Sequence, residues 1–257
     1  MYRQGGGRYY QQGGGGLGLG FPMTPMVRNL IVINAVLYLL QETILDPRMQ
    51  YEVLFLSVPG VLSGYFWQPF TYMWLHGSLM HLFFNMLSLW MFAPQLESAW
   101  GPQRFLQFYL ACGLGAGVII LLGNATLLAT PEPTLGASGA IFGVLTAFSV
   151  LWPNRTIMLL FPPIPLRAIY FIPFLFLMTY FLQGGGNISH IGHLGGVITA
   201  GIILRSELRK ALNLNGLNLG GLRYKWHRYR MRGRLRSIQK EEWERRRRSR
   251  DDGPNVH

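Results

Sequence analysis

Apolar residues along this chain form six runs, each of them long enough for a helix. Segments with proline, glycine or charged residues separate the runs, and such residues end helices or form loops. The predicted helices cover about residues 30–44 (reaching back into 23–27), 79–97, 105–123, 138 to just before 153, 167–183 and 189–204. Because these runs approach the length of a membrane span, the pattern predicts an all-α polytopic membrane protein with a six-helix bundle.

The stretch between the first two predicted helices, residues 46–68, is interrupted too often to be a span. It contains Pro59, Gly60 and Gly64, followed by three aromatic residues at positions 65–67. Tyrosine and tryptophan are enriched at membrane–water interfaces. We therefore expect a long interfacial loop that contains short helices.

The composition agrees with a membrane location. Half of the residues are hydrophobic and only 13% are charged, which is too apolar for a typical soluble domain. The single cysteine, Cys112, leaves no partner for a disulfide within this sequence and no cysteine-rich zinc site. No cofactor is expected.

The two ends of the chain differ from its apolar centre. Residues 1–25 are rich in glycine and lack the apolar core of a signal peptide, so we expect a disordered cytoplasmic leader. Residues 205–257 carry 16 Lys and Arg against 6 Asp and Glu, which is ten units of the formal net charge of +12. We expect residues 26–205 to form one membrane domain, and residues 206–257 to form a basic cytoplasmic tail. Anionic lipid headgroups are the expected partner of this tail, and no nucleic acid is expected.

The positions of the cations predict the orientation in the membrane. With six spans, both termini lie on one side, and cytoplasmic loops carry an excess of Lys and Arg. The arginines of the leader, the second-to-third turn and the fourth-to-fifth loop share that side with the tail, whereas the third-to-fourth and fifth-to-sixth loops contain none. We expect cytoplasmic termini in a bacterial inner (plasma) membrane, with the starts of helices four and six toward the extracytoplasmic side.

The fourth predicted helix is unusually short. Its roughly 15 residues give a length of about 22 Å, against a hydrocarbon core of about 30 Å. If its cytoplasmic end reaches the interface, Ser138 at its other end lies below the outer membrane surface. Water and protein loops could approach this hydroxyl there.

Few polar side chains occur within the predicted spans, and such residues are costly in a membrane and commonly functional. They lie toward the outer ends of helices two, four and six: His76, His81, Asn85, Ser138, His190 and His193. Three helices could supply the parts of a hydrolytic site. A serine at a helix start could be the nucleophile, a histidine on a second helix could be the base, and two donors four residues apart on a third could form an oxyanion site. No carboxylate lies in mid-span, so the chemistry would use a Ser/His dyad.

Other interpretations of these residues stay open at this point. A single serine or histidine in a span commonly makes a helix–helix hydrogen bond. The pairs His76/His81 and His190/His193 could together bind a metal ion, although no thiolate or carboxylate lies near them. A non-proteolytic membrane-protein binder and, with less support because no internal repeat is found, a transporter are the competing function classes.

Over about residues 26–205, the chain resembles the rhomboid family of intramembrane serine proteases. Four segments carry this resemblance: Gly136–Gly139 resembles the GxSG motif, Gly192–Gly196 the histidine motif of the sixth core helix, His76–Asn85 the HxxxxHxxxN segment, and Glu97 with Gly101 the ExxxG at the end of the second helix.

The resemblance implies a role for each matching residue. Ser138 would be the nucleophile and His193 the general base, with His193 preferred over His190 because Leu-Gly-Gly follows it. His81, Asn85 and the Ser138 backbone N–H would form the oxyanion hole. Supporting roles would fall to His76, Gly136, Gly139, Phe142 and Glu97.

The resemblance also implies how a substrate would enter. A substrate transmembrane segment would pass laterally between helices two and five, with Phe84 and the fifth-to-sixth loop, which contains Gly184–Gly186, near the gate. Cleavage would follow a small residue.

Two positions depart from the common family pattern. Trp67-Gln68 stands where many members have Trp-Arg, which removes a cation near the membrane surface and leaves lipid contact or substrate positioning open. Phe142 stands where some members have a tyrosine that packs on the catalytic imidazole.

Small residues predict which helices meet. Gly139 and Gly143 form a small face on helix four, and Gly196 and Ala200 form another on helix six. Close approach of two such faces is a common way of packing membrane helices. Contact between them would bring Ser138 and His193 together.

Overall fold

The computed structural model describes residues 23–128, 133–158, 164–182 and 187–212. The chain divides into two compact units, Met1–Leu208 and Arg209–His257, and the second unit is described only to residue 212. The expected leader up to residue 22, the Gly184–Gly186 loop and the tail beyond residue 212 lie outside the described residues.

The α-helices are α1 (Pro25–Thr43), α2 (Pro47–Met49), α3 (Val58–Leu62), α4 (Gln68–Thr71), α5 (Leu79–Trp100), α6 (Pro102–Gly123), α7 (Ser138–Leu151), α8 (Phe171–Leu182), α9 (Asn187–Ile203) and α10 (Arg205–Ala211). Residues Gln50–Leu54 and Asn124–Leu128 form π-helical turns, and Tyr72–Trp74 and Ala168–Tyr170 form 3₁₀ turns. The six predicted helices correspond to α1 and α5–α9, with ends that differ by a few residues. The predicted loop with short helices is confirmed as the segment that holds α2–α4.

Only one helical stretch of the described residues, Pro102–Thr126, is both long and apolar enough to cross a membrane by itself. Shorter apolar helices cover Ser138–Leu151, Ala168–Leu177 and His190–Ile203. The helical fold class is therefore confirmed, and the count of six membrane spans stays a prediction.

One small element departs from the all-α prediction. Strands β1 (Thr156–Met158) and β2 (Pro165–Arg167) pair antiparallel, with Ile157 opposite Leu166. The β-branched residues Thr156 and Ile157 favour extended backbone, and this signal is too short to stand out beside the long apolar runs. The hairpin lies between α7 and α8.

Helix α7 is the centre of the bundle. Every residue from Gly139 to Val150 is buried, and α5, α6, α8 and α9 all pack against this helix. Such complete enclosure requires neighbouring backbones to come close, which small side chains allow. The enclosed helix is 14 residues long, or about 21 Å at 1.5 Å per residue.

The closest of these approaches lies between α7 and α9. A Cβ atom at Gly196 would collide with the backbone carbonyl oxygen of Gly139, and a Cβ at Gly143 would lie 3.6 Å from the carbonyl oxygen of Gly196. The predicted contact between the small faces of helices four and six is confirmed. Because the two backbones touch at this point, the addition of one methyl group would force α7 and α9 out of their present register.

Polar side chains fasten the loop between α1 and α5. Gln68 is completely buried: its Oε1 accepts a hydrogen bond from the Ser57 amide at 3.1 Å, and its Nε2 donates to the Glu52 carbonyl at 3.0 Å. The side chain is therefore enclosed by protein, and its depth relative to the membrane surface stays a prediction. An uncharged amide fits here because it can pair with one backbone donor and one backbone acceptor, as a guanidinium cannot.

Glu97 holds the start of α1. Its buried carboxylate accepts hydrogen bonds from the Met26 amide at 3.0 Å, from the Val27 amide at 2.9 Å and from the Thr24 hydroxyl. The first N–H groups of a helix have no intrahelical acceptor, and a carboxylate both pairs with them and complements the helix dipole. The supporting role predicted for Glu97 therefore concerns the fold at the far end of α5.

We predict that Glu97→Gln lowers the stability of the folded protein by about 1–3 kcal/mol, the usual cost of an unpaired buried donor. The glutamine side chain would place an NH₂ group, itself a donor, opposite N–H or O–H groups that now donate to the carboxylate. Thermal unfolding in detergent micelles measures the loss. Glu42→Gln, at an exposed position of α1, is the matched control, and an equal effect of the two substitutions would contradict the capping role.

We predict that Gly196→Ala forces α9 away from α7 and destabilises the protein by about 1–3 kcal/mol, as overpacking of a tight core does. Gly201→Ala is the control on the same helix, because a Cβ there would meet only Leu208 Cδ2 at 3.7 Å. The unfolding temperature should fall for Gly196→Ala and should hold or rise for Gly201→Ala. A Gly196→Ala protein as stable as the wild type would refute the close crossing.

Candidate active site

A cavity of about 630 Å³ opens among α5, α7, α8, α9 and the segment before α7. The predicted nucleophile, base and oxyanion side chains, Ser138, His193, His81 and Asn85, all line it. Further predicted residues on its wall are Phe84, Gly136, Gly139 and Phe142. Residues from three different helices thus meet in one space, as the sequence predicts.

Ser138 is the first residue of α7, after the N-cap Ala137. Gly136 just before it adopts a φ of 126°, a left-handed conformation that favours glycine. A Cβ at Gly136 would lie 2.7 Å from Cε1 and 2.9 Å from Nε2 of His81. Position 136 therefore requires glycine for two reasons: its backbone conformation, and the His81 imidazole that lies against it.

His81 and Asn85 project from the first turns of α5. The Ser78 hydroxyl caps this helix and accepts a hydrogen bond from the His81 amide at 3.1 Å. The two residues are one turn apart, so both reach the same cavity. Asn85 is buried, and its Nδ2 donor finds no acceptor among the described residues. An amide donor of this kind on the cavity wall can bind an oxygen of a ligand.

His193 lies flat on Phe142. The two rings are parallel, with centroids 4.1 Å apart and an interplanar angle of 13°. Phe142 follows Ser138 by one turn of α7, so this helix carries both the serine and the ring that orients the imidazole. Ser138 and His193 share the cavity without a direct hydrogen bond within the described structure, and catalytic hydrogen bonds are often loose in ligand-free enzymes.

The other predicted residues lie outside the cavity wall. His190 is not among the described residues that line it. His76 is fully buried behind His81, and their rings meet edge to face with centroids 5.2 Å apart. Burial, together with the nearby His81, lowers the pKa of His76 to about 4, so its ring is neutral at physiological pH. Among the described residues, no three His, Cys, Asp or Glu side chains are grouped to hold a metal ion.

The apolar pattern of the sequence misses several residues of the site. Tyr72 lines the cavity, and its hydroxyl donates to the Gly113 carbonyl at 2.7 Å. Thr134 pairs with Leu56 through two backbone hydrogen bonds of 2.8 and 2.9 Å, which hold the segment before Ser138 against the loop between α1 and α5. Ser88 lies two turns after His81 on α5, and this spacing alone would have placed it on the same face.

Two apolar side chains line the cavity between α5 and α8. Phe84 from α5 and Leu175 from α8 both line it, and 56% of the Phe84 surface is exposed. The predicted gate residue therefore lies between the cavity and the outer surface of the bundle. The fifth-to-sixth loop of the same prediction is outside the described residues.

The sequence is similar to those of known proteins. A family model described as the rhomboid domain matches residues 63–208. Rhomboid protein 1, mitochondrial, of Saccharomyces cerevisiae is 37% identical over 127 residues, which cover 47% of this chain and 36% of the yeast protein. Rhomboid protease GluP of Bacillus subtilis is 35% identical over 141 residues, which cover 54% of this chain and 25% of that protein.

A longer alignment is found with RHOMBOID-like protein 12, mitochondrial, of Arabidopsis thaliana. It is 29% identical over 193 residues, which cover 69% of this chain and 56% of the plant protein. The chain thus spans about half or less of the length of these curated relatives. The family model covers more than half of this chain and includes all of α5–α9. The chain belongs to the rhomboid family, whose members have a helical, polytopic membrane fold.

Proposed function

We propose that this protein is an intramembrane serine endopeptidase that hydrolyses peptide bonds within or near transmembrane segments of membrane proteins. One observation carries the proposal: Ser138, His193, His81 and Asn85 come from three helices to line one cavity. Relatives whose names identify them as rhomboid proteases support the same activity. A site that only packed helices together would leave no cavity beside a buried, unpaired amide donor such as Asn85 Nδ2.

The proposed reaction uses a Ser/His dyad. Oγ of Ser138 attacks the carbonyl carbon of the peptide bond while His193 takes the hydroxyl proton. His193 then gives this proton to the amine that leaves, and an acyl-serine remains. Water attacks the acyl carbon with His193 again as the base, which releases the acid and restores Ser138. Phe142 holds the imidazole plane throughout by stacking on it.

The oxyanion of each tetrahedral intermediate would accept hydrogen bonds from His81, from Asn85 Nδ2 and from the Ser138 backbone N–H. The first N–H groups of α7 have no intrahelical acceptor, so the helix start and the two side chains of α5 can act together. Removal of one such donor typically costs about 10²–10³ in kcat.

The proposed membrane arrangement has six spans, α1 and α5–α9, with both termini in the cytoplasm. The positive-inside bias of the sequence supports this orientation. The short α7 then leaves Ser138 below the outer surface, where water reaches it through the cavity. The proposed location is a bacterial plasma membrane; the relatives with similar sequences include bacterial and mitochondrial proteins. Residues 206–257 would lie on anionic headgroups.

The proposed substrates are transmembrane segments that enter laterally between α5 and α8. The apolar wall formed by Phe84 and Leu175 supports this route, because it suits a lipid-facing helix. Family resemblance further suggests cleavage after a small residue in a segment that unwinds easily.

The test is cleavage of a reporter transmembrane substrate by the reconstituted protein. Ser138→Ala and His193→Ala should each lose at least about 10³-fold in kcat, the scale of a removed nucleophile or base. Ser149→Ala is the control for α7, because this buried hydroxyl donates to the Leu145 carbonyl of its own helix. His190→Ala is the control for α9. Both controls should keep most of the activity.

Cleavage by Ser138→Ala or His193→Ala at the wild-type rate would eliminate the dyad. If the folded wild-type protein binds transmembrane segments and cleaves none across a panel of substrates, the competing function, a non-proteolytic membrane-protein binder, would replace the proposal.

A further inference from the structure

The segment that leads into α5 is held by a side chain from α1. Gln41 is buried near the end of α1, and its Nε2 donates to the His76 carbonyl at 2.8 Å. In return, the His76 amide donates to Gln41 Oε1 at 3.0 Å. One side-chain amide thus pairs with both backbone groups of one residue, as a neighbouring β-strand would.

This clamp is itself anchored. Gln50 Nε2 donates to the Gln41 carbonyl at 2.8 Å and to the Leu45 carbonyl at 3.0 Å. Gln50 is buried as well, so a second amide fixes the end of α1 just where Gln41 projects from it. Neither glutamine lies on the cavity wall.

A chain of direct contacts leads from the clamp to the candidate oxyanion hole. The backbone of His76 is fixed by Gln41, and its ring meets the His81 ring edge to face. The His81 ring also lies against Gly136, with no room for even one methyl group between them. The imidazole of His81 is therefore in contact both with His76 and with the segment that carries Ser138.

We propose that Gln41 is a positioning residue that, through His76, sets the position of the His81 imidazole and thereby the geometry of the oxyanion hole. This inference rests on the proposed protease function. Because Gln41 does not line the cavity, its loss affects how well the oxyanion is held and not how substrate is bound. A displacement of about 1 Å in a catalytic group can lower the rate about 10²-fold.

The chemistry of the clamp predicts an order among substitutions. Leucine has nearly the size of glutamine and leaves the buried N–H and C=O of His76 without partners. Glutamate keeps the acceptor for the His76 amide and sets an oxygen against the His76 carbonyl. Activity should therefore decrease from wild type through Gln41→Glu to Gln41→Leu.

The experiment measures kcat and KM of the full chain in proteoliposomes with a reporter transmembrane substrate. For Gln41→Leu we expect kcat to fall about 10- to 100-fold, with KM changed less than about twofold because uniform substrate binding is untouched. Asn34→Leu is the matched control, since this buried side chain of α1 donates to the Leu30 carbonyl of its own helix, two turns from the clamp. It should lower the unfolding temperature and leave kcat near the wild-type value.

A second readout does not depend on activity. The side-chain NMR signals of ¹³C,¹⁵N-labelled histidine, with His81 assigned by its loss in His81→Ala, should shift or broaden for His81 in Gln41→Leu and stay in place in Asn34→Leu. An unmoved His81 signal in folded Gln41→Leu, or an unchanged kcat in an active protein, would overturn the inference. If His81 moves while the wild-type protein cleaves nothing, the positioning stands and the protease function fails.

Discussion

The contact on which the site depends is the crossing of α7 and α9 at Gly139 and Gly196. The Gly139 carbonyl oxygen occupies the space of the missing side chain of Gly196, so the two backbones touch. Ser138 precedes this contact by one residue, and His193 precedes it by three on the partner helix. Apolar association adds little between helices surrounded by lipid, and close packing of small residues supplies the attraction. Any side chain at the crossing would separate serine from histidine.

A second constraint concerns the polar groups that an apolar bundle has to satisfy. Glu97, Gln68 and Gln41 are buried, and each pairs with backbone groups of residues at least eleven positions away in sequence. Glu97 holds the start of α1, Gln68 folds the loop between α1 and α5 on itself, and Gln41 fixes the chain before α5. An unpaired backbone group costs more in lipid than in water. Gln68 and Gln41 therefore fix the irregular chain between α1 and α5 in one conformation, Glu97 holds a helix start at the far end of α5, and the glycine crossing positions the helices.

The sequence predicts the long elements well because their signal is strong. Apolar runs bounded by proline and glycine locate α1 and α5–α9 to within a few residues, and spacing alone predicts that His81 shares a face with Asn85. Prediction from the sequence fails where the burial or pairing of a residue depends on a partner that is not its neighbour along the chain. Nothing local distinguishes the buried Gln68 from a surface residue, because its burial depends on the fold of the loop around Ser57. For the same reason the Gln41 clamp and the pairing of Leu56 with Thr134 cannot be read from periodicity.

In the proposed mechanism, Ser138 is a nucleophile that His193 activates. Reaction of the reconstituted protein with a fluorophosphonate, followed by mass spectrometry of its peptides, tests this without any choice of substrate. We expect a phosphonyl group on Ser138 alone, formed at least about 10²-fold more slowly in His193→Ala, since general-base catalysis is worth about 10²–10⁴ in rate. Modification of a different serine, or equal rates with and without the imidazole of His193, would contradict it.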